Sequence, residues 1–382
     1  MVELSCLLFK MVYLVMNKYI KKPISIMLLI EFSSVFLGCA IASIMMGDVA
    51  HAAADVKADS SGIQFCVFDP IGSGETRRAM QDYSLAMLKK GHTIQIKSYV
   101  DERVAVEDFR TGQCDGVLAT GLRTRPFLPF SAALDSVGVS SIVRKGKIDL
   151  PASYEVVNQF VRIVSSPKAR ELVVSGTYEL AGIMPLGAVY PFVNDRAINT
   201  LEKAAGKRVA AFDYDKAEAQ LILRAGATPV AANITNFATM FNNGLVDVIM
   251  APAMVYKPLE LFRGIGTKGG VSRFPVLILT GQAIIRSAKF GKSYGQDSRE
   301  YFASQFETAM GIVAQGDKQI PEKLWIDSTP RDNERYVLMM RQGRMLMAEK
   351  GLYDKKGLRL LKKIRCSIQP EASECSEQTE DW

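Results

Sequence analysis

Polar and apolar positions along the chain switch repeatedly between strand-like and helix-like patterns. Residues 62–69, 93–100 and 115–119 are apolar, β-rich runs, and between them 75–90 and 101–111 read as helices, the first stopped by Gly91. This β-α-β-α-β order predicts a parallel sheet with right-handed crossovers. Residues 154–172 look helical, and 179–194 form a long β-rich run broken at Pro185 and Gly187. A second set follows: helix 198–205, strand 208–213, helix 216–225, strand 228–232, helix 237–243 and strand 246–250. Another long β run, 274–285, is suited to carrying the chain back to the first set. From Ser298 onward the pattern is helical. Thr329-Pro330-Arg331-Asp332 supplies a capping hydroxyl, a proline at the first helical position and an acid in the first turn, for a helix reaching Lys350-Gly351.

The two sets share a written signature. Phe109-Arg-Thr-Gly112-Gln-Cys-Asp115-Gly-Val117-Leu-Ala119 aligns without a gap on Phe241-Asn-Asn-Gly244-Leu-Val-Asp247-Val-Ile249-Met-Ala251, 132 positions later. Each copy reads as a helix whose last turn buries a Phe, a glycine in the left-handed position after it, and an Asp that introduces a short apolar strand. Two such units predict two similar α/β lobes, with a ligand in the cleft between them. The expected division is 53–186 for the first part of lobe one, 187–268 for lobe two, and 269–382 for the return to lobe one and the C-terminal helices.

Residues 1–52 follow a different pattern. Asn17-Lys18-Tyr19-Ile20-Lys21-Lys22 is basic, 24–46 is apolar apart from Glu31, and Ala50-His51-Ala52 places small residues before Ala53. This is the three-part pattern of a cleavable export signal, with Met16 as an alternative start. The apolar stretch is also long enough to span a bilayer, so a retained anchor is the competing reading. Leu37-Gly38-Cys39 resembles a lipobox, but the sequence after Cys39 stays apolar where a lipoprotein turns polar. Periplasmic location is therefore the expectation. Export leaves Cys66, Cys114, Cys366 and Cys375, an even number that suits two disulfides in an oxidising compartment. Three connectivities are open. Cys66–Cys114 would join neighbouring strands, Cys366–Cys375 would close a small C-terminal loop, and this pairing is the one expected.

The formal charge of the whole chain is +7, and residues 1–52 hold four lysines against three acids, so the exported part is close to +6. Its basic pairs are scattered over separate helices, with no basic arm interleaved with aromatics, so no nucleic-acid partner is expected. The positive field mildly favours an anionic ligand. His92 is the one histidine after the signal, in a turn at the N-terminal edge of its strand. A Ser-His-Asp or Cys-His centre would have to use it, whereas open α/β sheets bind ligands at the carboxyl ends of their strands. No HExxH, CxxC or GxxxxGK[ST] occurs. Gly264-Ile-Gly266-Thr-Lys-Gly269 follows a short helix and precedes a strand, the reverse of the dinucleotide fingerprint. Asp213 with Asp215 could support acid–base work without specifying a substrate. The expectation is no catalytic residue, no metal and no cofactor.

Candidate ligand groups are then the polar and aromatic residues at strand ends. Asp69 and Ser73 follow the first strand, at a helix N-terminus whose free N–H groups suit an anion. Arg123 and Arg125 follow the third, where a guanidinium can pair two-pronged with a carboxylate. Asp213 and Tyr214 hold the corresponding place in the second set, Tyr256 follows its last strand, and Tyr190 and Asn194 lie at the crossing between lobes.

The segment from Glu202-Lys-Ala-Ala-Gly206-Lys-Arg-Val209 to Asn236-Phe-Ala-Thr-Met-Phe-Asn-Asn-Gly244-Leu-Val-Asp247 resembles the second-lobe core of extracytoplasmic solute receptors of tripartite ATP-independent periplasmic (TRAP) transporters. A narrower resemblance, to the AdeT-type proteins, is carried by Phe65-Cys-Val-Phe-Asp-Pro70, Tyr99-Val-Asp-Glu-Arg-Val104, Cys114-Asp-Gly-Val117, Thr120-Gly-Leu-Arg123, Val193-Asn-Asp-Arg196 and Asn242-Asn-Gly244. That group is described both as solute-binding proteins and as aminoglycoside-efflux components. The resemblance implies an α/β fold of the two-lobed type II periplasmic-binding-protein kind, with hinge-crossing strands and a helical C-terminal region. It also implies a receptor, expected to be monomeric, that closes on a small polar or anionic molecule and delivers it to membrane transporter subunits. TRAP receptors clamp a carboxylate with an arginine on the strand after the Gly-Lys segment; here that position holds Ala210, with Arg208 one small slip away. The rival readings are an accessory factor for drug efflux and a periplasmic enzyme on the same fold. A polycationic drug would need an acidic cleft, and the positive charge and the two arginines argue against it.

Overall fold

The structure, a computed structural model, describes residues 62–72 and 74–382. The export signal in 1–52 and the candidate Ser73 lie outside the described residues. The first α/β set forms as expected: β1 (Ile63–Phe68), α1 (Glu75–Lys89), β2 (Ile94–Tyr99), α2 (Glu102–Thr111) and β3 (Gly116–Thr120). The helix α3 spans Leu150–Ser165, and the long strand β4 spans Tyr178–Val193. The second set is β5 (Arg208–Phe212), α4 (Lys216–Arg224), β6 (Thr228–Ala232), α5 (Phe237–Asn242) and β7 (Val248–Pro252). Strand β8 (Leu277–Arg286) returns, and α6 (Tyr294–Ser304), α7 (Phe306–Asp317), α8 (Pro330–Glu349) and α9 (Lys355–Ile368) complete the chain. Among the described residues no helix is long and apolar enough to cross a membrane.

One sheet runs through both lobes in the order β2-β1-β3-β8-β4-β7-β5-β6. β1 pairs in parallel with β2 and β3, and β5 pairs in parallel with β6 and β7. β4 joins the two parallel groups. It lies antiparallel to β8 from Tyr178 to Val189, then antiparallel to β7 from Val189 to Val193. Pro185 and Gly187 do not end this strand, as their sequence signal suggested. Pro185 pairs with Thr280 and Gly187 with Leu279, so Leu186 between them is the extra residue of a bulge, and Gly187 takes φ +116°. The interruption is a bend at the hinge.

The repeated signature forms the same joint twice. Phe109 and Phe241 are fully buried, each contributing about 1.5–3 kcal/mol of apolar burial, and Gly112 and Gly244 take φ +85° and +70°. The Asp of each copy then exchanges hydrogen bonds with the start of the neighbouring strand. Asp115 N–H donates to Gln64 O (2.8 Å) while its carboxylate accepts from Gln64 N (3.0 Å). Asp247 N–H donates to Arg208 O (2.8 Å) while its carboxylate accepts from Arg208 N (2.9 Å). This exchange delays β7, which starts at Val248 and not at the expected 246. The predicted helix 198–205 shortens to Leu201–Ala204, because the Thr200 side chain caps it at Lys203 N.

Both expected disulfides are present, Cys66–Cys114 and Cys366–Cys375. The C-terminal tail is fastened by charge as well. Glu380 is 2% exposed and accepts from Arg344 Nε (2.8 Å) on α8 and Arg365 Nη2 (2.7 Å) on α9. The same two arginines donate to Val137 O and Val139 O of the first lobe. The paired guanidinium groups hold the Glu380 carboxyl down to about 2, against the burial that opposes its charge. The α8 helix also reaches the second lobe, through Tyr336 to Asn199 O (3.1 Å) and an Arg335–Glu202 ion pair.

Removing one partner of a buried ion pair leaves the other uncompensated, at a cost of about 3–5 kcal/mol. Glu380→Gln is therefore expected to lower the thermal midpoint by many degrees in a melting curve at neutral pH. Glu380 is depressed when folded, so its contribution is present above the ordinary carboxylate range and fades as pH falls toward about 2. The wild-type and variant curves should converge at the acid end; an equal gap at every pH would contradict this assignment.

Candidate ligand-binding cleft

Between the two parallel groups lies a cavity of about 300 Å³. Its walls are largely apolar, with Phe68 and Leu122 from the first lobe, Val189 and Pro191 from β4, and Phe212 and Phe237 from the second lobe. Met339, Met340 and Tyr353 from the C-terminal region also line it. The helical methionines thus pack against the cavity itself.

Carboxyl groups are prominent among the polar groups of this lining. Glu102, the first residue of α2, is fully buried; it accepts from Thr120 N (2.6 Å) and from the Tyr214 hydroxyl (3.3 Å). Burial raises its carboxyl above the usual range, against those hydrogen bonds and the nearby Arg123 charge. Asp135 is likewise buried, accepts from Thr280 N (3.0 Å), and is pushed up to about 7 by burial. Glu218 accepts from Phe212 N (2.7 Å), and burial together with the neighbouring Asp215 charge pushes it up to about 8. Asp215 caps α4 through Ala217 N and Glu218 N. Sequence reasoning overlooked Glu102, Asp135 and Glu218. Glu102 lies three residues past the end of β2, and strand-end position was a signal that could have found it.

The expected site residues separate into groups. Arg123 and Tyr214 come together: the guanidinium carbon stands 3.4 Å from the centre of the Tyr214 ring, a contact of about 0.5–2 kcal/mol. With the Tyr214–Glu102 hydrogen bond, this joins the lobes across the cleft. Arg125 also crosses it, 3.7 Å from Asp215 and over the Tyr353 ring. Arg123 Nε and Arg125 Nε and Nη2 are buried without a hydrogen-bond partner. Both arginines stand behind the cavity wall formed by Tyr214, Asp215 and Tyr353.

The remaining candidates sit elsewhere. Asp69 is 1% exposed, and its carboxylate accepts from Ile71 N, Gly74 N and Arg77 N. It fills the helix N-terminus that the sequence reading reserved for a ligand anion. Tyr190 faces away from the cavity, edge-on to Trp325. Asn194 donates to Asp247 (3.2 Å), Asp213 is exposed, and Tyr256 is buried against Phe192 and Phe262. His92 lies 3.3 Å from Asp297, outside the cavity lining.

Residues 73–380 match the family described as "Solute-binding protein AdeT 1/2", and the chain belongs to that family. It is 40% identical to "Probable solute-binding protein AdeT1" of Acinetobacter baumannii over 311 residues, covering 81% of this chain and 99% of the relative. A second relative, "Probable solute-binding protein AdeT2" of the same organism, is 22% identical, covering 60% of this chain and 96% of its own. Among solved structures, a TRAP periplasmic solute-binding protein from Desulfovibrio salexigens with bound orotic acid has a TM-score of 0.65 at 13% identity. That match covers 80% of this chain and 99% of the other. The periplasmic ectoine-binding protein of the TeaABC TRAP transporter of Halomonas elongata has a TM-score of 0.64 at 12% identity, covering 81% and 99%. The fold is that of two-lobed TRAP receptors.

Glu218 carries a pH prediction. Its folded carboxyl is raised to about 8. It therefore costs the folded state nothing below the ordinary carboxylate range, and its destabilising effect grows as pH rises toward 8. Glu218→Gln should flatten the decline in melting temperature between about pH 5 and 8. An unchanged slope in the variant would contradict the burial of this group.

Proposed function

We propose that this solute-binding protein is a periplasmic receptor that closes its two lobes over a small polar or anionic molecule and delivers it to a TRAP-like membrane transporter. The observation that carries the reading is the set of buried, unpartnered guanidinium nitrogens of Arg123 and Arg125 beside a cavity between lobes. An unsatisfied buried donor costs about 1–3 kcal/mol, and a ligand oxygen is a partner that removes this cost. Arg123 then exchanges its contact with Tyr214 for paired hydrogen bonds to the ligand, while the apolar wall holds the ligand body. Proteins of the same fold are described with orotic acid or succinate bound, or as ectoine-binding, and such small molecules suit a cavity of this size. The export signal in 1–52, the lobe boundaries at 186 and 268, a monomeric state and a role in binding without catalysis belong to the same proposal.

The test is Arg123→Ala, measured by calorimetric titration with the small molecule that co-purifies with the native protein. Loss of a paired charge contact costs about 2–5 kcal/mol, so affinity should fall roughly 30-fold or more, with the ligand-free melting temperature nearly unchanged. Lower melting temperature with affinity intact would confine Arg123 to holding Tyr214.

A further inference from the structure

The β4 strand has two faces, and each one borders a cavity. Successive side chains of a strand point to opposite sides. Val189 and Pro191 line the cleft, whereas Tyr190 between them lines a second cavity of about 840 Å³ behind the hinge. Its walls come from two distant parts of the chain. One is the hairpin and helix start at 144–151; the other includes Arg273 and Trp325, beside the short strands Gly270–Ser272 and Trp325–Ile326 that extend the second-lobe end of β4.

The chemistry of this cavity differs from that of the cleft. Its floor is aromatic: Tyr190 meets Trp325 edge-on at 5.0 Å, and the Arg273 guanidinium stands 4.9 Å from the Trp325 ring centre. Its carboxylates are largely engaged, Asp149 by Arg144 (2.9 Å) and Glu322 by Arg273 (2.5 Å). Asp317 lies beside the Tyr190 hydroxyl, and burial pushes it up to about 6. Lys147 and Lys318 line the cavity, and neither has an ion-pair partner among the described residues. Against these two ammonium groups stands one carboxylate without an ion-pair partner among the described residues, Asp317, so the lining keeps an excess of one positive charge beside the Tyr190–Trp325 pair.

We infer that the cavity behind the hinge is a second binding site, which takes a small ring-bearing carboxylate. Its ring lies against Trp325, and its carboxylate meets Lys147 and Lys318. This site is separate from the cleft and does not depend on the identity of the cleft ligand.

Trp325 and Trp382 are the two tryptophans of the chain, so Trp382→Phe leaves Trp325 as the single indole reporter. In this background, titration with benzoate or phthalate should give a saturable change in Trp325 emission. Neutral benzamide should respond more weakly, by roughly fivefold or more in apparent affinity. The double variant Lys147→Ala/Lys318→Ala should weaken the benzoate response similarly, while Arg123→Ala should leave it intact. No saturable change with either carboxylate would overturn the site. So would an equal response to benzamide, a response unaffected by the lysine substitutions, or one abolished by Arg123→Ala, which would put the probe in the cleft.

Discussion

Everything in this structure depends on β4 pairing with two different partners along its length. Its first part is held by β8 and its last residues by β7, so one strand belongs to both lobes. The bulge at Leu186 and the positive φ of Gly187 let the strand bend at the changeover without losing its ladder. Because side chains alternate across that strand, the hinge also sorts chemistry: Val189 and Pro191 face the cleft, and Tyr190 faces the cavity behind it.

Across the cleft, polar and aromatic contacts join the lobes. Tyr214 sits against Arg123 and hydrogen-bonds Glu102, while Arg125 faces Asp215. In the proposed mechanism Arg123 exchanges its place on Tyr214 for the ligand. The C-terminal region contacts both lobes as well. The Glu380–Arg344–Arg365 cluster fixes α8 to the first lobe, and Tyr336 and Arg335 tie the same helix to the second. The contacts of α8 with the first lobe are buried ion pairs, whereas those with the second are exposed.

Much of the architecture was legible in the sequence because it is carried by local signals. Phe109-x-x-Gly112-x-x-Asp115 and its copy encode a buried ring, a left-handed glycine and an Asp that bridges to the next strand, all within a few residues. Of the cysteine pairs, Cys366–Cys375 is local, whereas Cys66 and Cys114 lie 48 positions apart and are brought together by the pairing of β1 with β3. The cleft was less so, since strand-end position says where a residue is but not which neighbour claims its side chain. Asp69 turns inward to cap its own loop, Asn194 is taken by Asp247, and Tyr190 points behind the hinge because of a one-residue difference in register. Glu102 sits at a strand end, but its hydrogen bond from Tyr214 comes from 112 positions away, which no local pattern displays.

In the proposed receptor the lobes move about β4 and ligand capture closes them. The direct measurement is the distance between spin labels at exposed Arg103, at the start of α2, and exposed Lys216, at the start of α4, each replaced by a labelled cysteine. With the co-purified ligand removed by refolding, the account predicts a broad distribution at longer distance. Restoring the ligand should shorten and narrow it. An identical distribution with and without ligand would contradict closure.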